Sequence, residues 1–194
     1  MKKIESTFIN MLVSLLMVCL VSAGLLAGVY ELTKADIALA EKNKQENALK
    51  GVLPEFDTIK TDSINGAPVF KAFKNGVYVG AATITSDLGF SDQIVVMVGI
   101  DNAKNIVNYG VLSQKETPGL GTKCVDWFKE QINGKSISTD FKVTKDGGDV
   151  DAITAATITS RAFLDAVKKA ENNFTGDTDA ITTATEVEME VSNE

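Results

Sequence analysis

The most one-sided stretch of the chain is "FINMLVSLLMVCLVSAGLLAGVY", Phe8 to Tyr30, 23 residues without a charge. As a helix rising ~1.5 Å per residue it reaches about 35 Å, enough to cross a ~30 Å hydrocarbon core. Lys2 and Lys3 precede it. The positive-inside rule therefore puts residues 1–7 in the cytoplasm, a transmembrane helix at 8–30, and everything from Glu31 onward outside. A cleaved signal peptide is the competing reading. Its apolar region is ordinarily about 7–15 residues long and ends in a small-residue site, whereas "VSA" and "LLA" match such a site only weakly. From 31 to 54 the pattern changes to a thin apolar stripe (Leu32, Ala35, Leu39, Ala48, Leu49, Val52) stopped by Pro54, which predicts a leading helix.

Residues 55–174 form the predicted folded domain. "PVFKAFKNGVYVGAATIT" places Asn75-Gly76 between two apolar-rich arms, the strongest short-range hairpin signal. "QIVVMVGI" and "NIVNYGVL" flank Asp101-Asn102-Ala103-Lys104 as a second hairpin. "CVDWFKEQI", Cys124 to Ile132, reads as a short amphipathic helix closed by Asn133-Gly134. "FKVTK" and "DVDAIT" are expected to pair around Asp146-Gly147-Gly148. "TSRAFLDAVKKAENNF" reads as an amphipathic helix with Thr159 or Ser160 as N-cap. Strands clustered in hairpins, with helices at the ends, give an α+β class. The expected architecture is a hairpin-rich antiparallel or mixed sheet with flanking helices, preceded by one transmembrane helix. Residues 175–194 hold six acids and no base, an acidic tail expected to be loosely ordered.

Composition narrows the chemistry. The 194 residues are 44% hydrophobic and 23% charged with a formal net charge of −7, a balance that opposes nucleic-acid binding. There is no histidine, so the usual general base and the commonest metal ligand are missing. Cys19 and Cys124 form no CxxC pair, and no zinc or iron–sulfur site is expected. One cysteine would lie in lipid and the other in the outer domain, so no disulfide between them is expected. Nucleophilic hydrolysis would need a lysine base, and no SxxK occurs.

Three stretches stand out. "KETPGLGTKC", Lys115 to Cys124, contains a Pro-Gly-x-Gly turn whose glycines leave the backbone open to a flat or anionic group. It matches neither GxxxxGK[ST] nor GxGxxG, so a structural loop and a ligand loop both stay open. "DGGDVD", Asp146 to Asp151, lacks the EF-hand spacing and reads as exposed turn acids. "DAITAATITSR", Asp151 to Arg161, puts Thr157 just before a predicted helix N-terminus, where free N–H groups favour a phosphate. Arg161, the chain's only arginine, lies four residues on and is suited to a bidentate phosphate contact. The alternative is a threonine-rich N-cap with no ligand. A near copy, "DAITTAT", lies at 179–185, but the acids after Thr185 would repel a phosphate.

"DAITAATITS" resembles the flavinylation motif D-[GA]-x-[ST]-[GA]-A-[ST] of FMN-binding subunits in bacterial membrane redox complexes. "KETPGLG" resembles the second signature of that family, in the same order. The similarity covers the anchor, the leading helix, "VMVGID", "ETPGLG" and the threonine motif, and is greatest to the G subunit of Rnf-type electron-transport complexes. The C subunit of the Na⁺-translocating NADH:quinone reductase is the related alternative. The resemblance implies FMN joined to Thr157 as a phosphoester, with Asp151, Thr154, Ala155 and Ala156 read by a flavin transferase. It implies that Glu116, Thr117, Pro118, Gly119, Leu120 and Gly121 form the loop beside the flavin. Ala155 stands where many members have glycine, and Gln114 where a histidine is common. The implied function is electron relay within a membrane complex linking ferredoxin and NAD to ion translocation, with the other subunits as partners. The implied location is the bacterial inner membrane, single-pass, with the main domain outside. A membrane-anchored module that binds a ligand without redox turnover is the remaining alternative.

Overall fold

A computed structural model describes residues 7–64 and 66–175, so the second threonine copy and the acidic stretch around it lie outside the described residues. The chain divides into two compact units, 1–44 and 45–194. One helix, α1 (Phe8–Val52), runs without a break through both of the segments that the sequence pattern separates. Its apolar portion is long enough to cross a membrane and none of it is buried against protein.

Within the second unit, five strands form an antiparallel meander in the order β1-β2-β3-β4-β5. They are β1 (Thr58–Ile64), β2 (Ala67–Lys74), β3 (Val77–Leu88), β4 (Gln93–Asp101) and β5 (Ile106–Ser113). Hence the sheet is antiparallel throughout and the class is α+β. Asn75 and Gly76 both adopt positive φ (51° and 78°). That is the backbone twist a two-residue hairpin needs, and it explains the Asn-Gly pair. β1 is an edge strand, mostly exposed and studded with Lys60, Asp62 and Thr residues. Charges of this kind discourage further pairing along an open edge.

The interior strand β4 is covered on both faces because its residues alternate between two cores. On one face Val96, Val98 and Ile100 join Tyr109, Phe128, Phe163 and Val167 beneath the long helix α3 (Thr157–Thr175). Phe163 stacks on Phe128 and meets Tyr109 edge-on, each at 4.6 Å between centroids. Two polar links tie α3 to β3: Thr85 Oγ1 donates to the Ala166 carbonyl at 2.7 Å, and Asn173 Nδ2 donates to Thr83 Oγ1 at 3.1 Å. On the other face Met97 packs with Leu49, Val52 and Leu53 from the end of α1. The approach there is close enough that a Cβ on Gly99 would sit 2.0 Å from the Val52 carbonyl oxygen. Asn108 Nδ2 donates to the Gly51 carbonyl at 2.9 Å, satisfying one of the free carbonyls at the helix end.

Three local expectations are corrected. The 124–132 segment is not one helix but a 3-10 turn (Gly121–Val125) followed by a single α-helical turn, α2 (Lys129–Ile132). "FKVTK" and "DVDAIT" form no hairpin; the end of the first runs into a 3-10 turn (Thr144–Asp146), and Val143 and Val150 make only an isolated parallel bridge. Gly147 follows that turn with a positive φ of 81°. Thr159 and Ser160 do not cap α3, which starts at Thr157; their hydroxyls lie inside the first turn and point into the protein.

Candidate functional site

The α3 start is prepared by a tight turn. The Ala156 N–H donates to the Ile153 carbonyl at 2.9 Å, and Ala155 between them has φ of +63°. A four-residue turn with a left-handed third residue is the type II pattern, where glycine is favoured. Alanine at this place is strained, which gives a physical reason for the glycine common in the resembling sequences. Backbone clamps hold the turn. Ser160 Oγ accepts from the Ile153 N–H at 2.9 Å and donates to the Ala156 carbonyl at 2.9 Å. Further back, the Asp151 N–H donates to Gln131 Oε1 at 2.6 Å, and Trp127 Nε1 donates to the Asp151 carbonyl at 2.8 Å. Thr154 sits exposed on the turn, and Asp151 is exposed as well. The product is Thr157 at the first position of α3, half-buried, its hydroxyl without a hydrogen bond among the described residues.

Facing it is the loop Glu116 to Gly121. Glu116 is 4% exposed. Thr159 Oγ1 donates to its Oε2 at 2.5 Å and the Ser91 N–H donates to its Oε1 at 3.0 Å. Burial pushes this carboxyl up, but the Thr159 hydroxyl and the N–H groups of Ser91, Phe90 and Asp92 outweigh it and hold the group below the ordinary carboxylate range. Gln114 turns its amide oxygen onto the Glu116 N–H at 2.7 Å, so here it serves as a local cap for the loop. Gly119 has φ of +75° and open space around it, whereas Gly121 is glycine for lack of room. A Cβ there would lie 2.7 Å from Glu116 Cβ and 2.9 Å from Thr159 Oγ1. Gly121 thus makes way for its own protein, contrary to the expectation that it is small for a ligand's sake.

The two segments enclose a cleft of about 410 Å³, within the range of small-molecule sites. Of the residues singled out in the sequence, Glu116, Thr117, Leu120, Gly121, Ala155, Ala156 and Thr157 line it; Pro118, Gly119, Thr154 and Arg161 do not. Arg161 is engaged elsewhere, its Nε and Nη2 donating to both Asp146 carboxylate oxygens at 2.7 and 2.6 Å. In this geometry its guanidinium faces Asp146 and not the cleft. Phe90 and Ile158 line the cleft without having been singled out, and so does Thr159, which the sequence suggested only as a helix cap. Phe90 is a lone aromatic in a polar turn, with no periodicity to flag it. Exposed apolar side chains of Phe90 (67%), Ile158 (53%) and Leu120 (39%) beside an unpaired hydroxyl at a helix N-terminus suit a flat ring with an anionic end. No cluster of metal-ligating side chains occurs among the described residues.

Comparison with known proteins agrees with this arrangement. The FMN-binding domain family matches residues 89–172, a span that contains both walls of the cleft, and the RnfG N-terminal region matches residues 12–52. The G subunit of the ion-translocating oxidoreductase complex from Vibrio parahaemolyticus is 36% identical over 174 residues, covering 78% of this chain and 82% of the relative. The protein of the same name from Methanosarcina acetivorans is 31% identical over 172 residues, covering 83% and 91%. Among solved structures, the C subunit of the Na⁺-translocating NADH-quinone reductase from Parabacteroides distasonis superimposes with a TM-score of 0.51 at 23% identity, covering 69% of this chain and 82% of that one. That likeness establishes a shared fold. The cleft-bearing domain, the matched N-terminal region and relatives aligned over most of their length lead to one conclusion: the chain belongs to the family of G subunits of ion-translocating oxidoreductase complexes.

Proposed function

We propose that this chain is a membrane-anchored electron carrier of an ion-translocating oxidoreductase complex, with FMN joined through its phosphate to Thr157. The observation that carries the assignment is the Thr157 hydroxyl: unpaired, half-buried, and set at the first position of α3 in an apolar-walled cleft. The free N–H groups of the α3 first turn favour the phosphate there. Leu120, Phe90 and Ile158 offer apolar surface to the ring. A bound flavin supplies a group that takes up two electrons and releases them one at a time. The protein's part is to fix one end of the cofactor by a covalent bond, shield a face of the ring and tune its potential. The domain is placed outside the membrane, following the basic flank at Lys2 and Lys3. Its partners are the other subunits of the complex and a flavin transferase that makes the ester.

The test is intact mass after denaturation, on full-length chain from cells that contain a flavin transferase. A gain of one FMN less a water is expected for the native chain. None is expected for Thr157→Ala, and a partial gain for Thr157→Ser, which keeps a hydroxyl. Truncation after Phe174 leaves the gain in place. Peptide mapping that found FMN on Thr185 and none on Thr157 would sink the assignment.

A further inference from the structure

We propose that Glu116 sets the reduction potential of the flavin held in this cleft, by keeping a fixed negative charge in its wall. The inference rests on the FMN reading above and gives a function to a side chain that solvent scarcely touches. Glu116 is the one titratable side chain among the residues that line the cleft, and it is 4% exposed. It has nowhere to turn. A Cβ on Gly89 would sit 2.5 Å from its Oε1 and one on Gly121 2.9 Å from its Oε2, so the carboxylate is packed from two sides.

The groups that donate to it, Thr159 Oγ1 and the Ser91 N–H, are neutral dipoles. Lys115, next to it in the chain, pairs with Asp92 at 2.7 Å with its side chain 77% exposed, and Arg161 on α3 pairs with Asp146 at 2.6 Å. The carboxylate thus keeps its full charge in a poorly solvated wall, where Coulomb effects reach further than in water. A neighbouring group already responds: burial and then the Glu116 charge push the Cys124 thiol up to about 11. Reduction adds electrons to the cofactor. A fixed anion beside it raises the energy of the electron-rich form relative to the oxidised one, which lowers the potential.

The experiment compares full-length flavoprotein in detergent, its flavin content confirmed by mass, as the native chain, Glu116→Gln and Thr159→Val. Each is titrated against reference dyes at pH 8. Removing the charge in Glu116→Gln is expected to lower the oxidised-to-reduced ratio at a fixed ambient potential at least tenfold, about 30 mV upward for a two-electron couple. Thr159→Val deletes a hydrogen bond but keeps the charge, and its potential is expected to stay level or fall. A Glu116→Gln potential equal to the native one overturns the proposal. A rise in Thr159→Val overturns it too, since hydrogen bonding and not charge would then be in control. If Glu116→Gln yields no flavoprotein, Thr159→Val decides alone: a rise refutes the proposal, and a level or lower potential supports it. A native chain without the mass gain would instead refute the FMN reading, and there would be no flavin to titrate.

Discussion

The loop from Glu116 to Gly121 is held from within by one buried carboxylate, whereas the segment from Asp151 to Thr157 is held by hydrogen bonds to its backbone. In the loop, the side chain at the start is consumed by packing, and Gly121 is small so that Glu116 and Thr159 fit. In the facing segment, Gln131, Trp127 and Ser160 grip the main chain and leave Thr157 free at the surface. The first wall is a scaffold and the second is a presentation device. Most motif residues therefore maintain a shape, and one of them keeps a hydroxyl without a partner among the described residues.

The sharpest way to break that contrast is to overfill the scaffold. Gly121→Val drives carbon into Glu116 and Thr159, and a loss of about 3 kcal/mol is expected, at the upper end for overpacked sites. Gly119→Ala two residues away meets nothing within 4 Å and costs only the left-handed backbone penalty, about 1 kcal/mol. Chemical denaturation of the detergent-solubilised chain measures both. Equal losses would show that the loop is not packed around Glu116.

A second way is to titrate the scaffold. The folded-state pKa of Glu116 is lowered, so its contribution is fully present above the unfolded value of about 4.3 and is lost as pH falls through the folded value. Glu116→Ala is expected to cost about 2–3 kcal/mol at pH 7, since charged hydrogen bonds are lost and buried N–H groups are stranded. The gap to the native chain narrows as pH falls below about 4.3, with thermal melts across the range as the measurement. A gap that stays constant with pH would mean that the ionised form has no special standing.

The presentation wall is expected to respond more mildly. Ala155→Gly relieves the φ of +63° and is expected to stabilise by about 1 kcal/mol, with Thr157 flavinylation retained. Destabilisation would indicate that the turn is not under strain. Smallest of all, Arg161→Ala breaks a solvent-exposed pair with Asp146 and is expected to leave stability nearly unchanged. Flavin content measured by mass should be unaffected. Lost flavin would restore Arg161 to the phosphate site and contradict the geometry.

Sequence alone settled the features that depend on near neighbours. The Asn75-Gly76 hairpin follows from a two-residue turn that demands positive φ at both positions, and the membrane-length apolar portion of α1 follows from an unbroken run of uncharged residues, although the helix itself runs on to Val52. The α+β class follows from alternating runs separated by turns. The start of α3 at Thr157 was legible because a helix pattern begins beside it. Other features were not legible, for reasons equally physical. β1 is polar along most of its length because it is an exposed edge, so it lacks the apolar alternation by which a strand is read. The expected hairpin between Phe141 and Thr154 did not form: a 3-10 turn takes up Thr144 to Asp146, and a single parallel bridge joins Val143 and Val150. Glu116 looked like a loop residue facing a ligand, but its partners Ser91 and Thr159 lie 25 and 43 residues away. Arg161 looked free for a phosphate until the fold set Asp146 against it. Local backbone preference and hydrophobic period are written along the chain. Burial and the pairing of charges belong to residues that meet only in three dimensions, and these decided which motif residues build the cleft and which one keeps an unpaired hydroxyl.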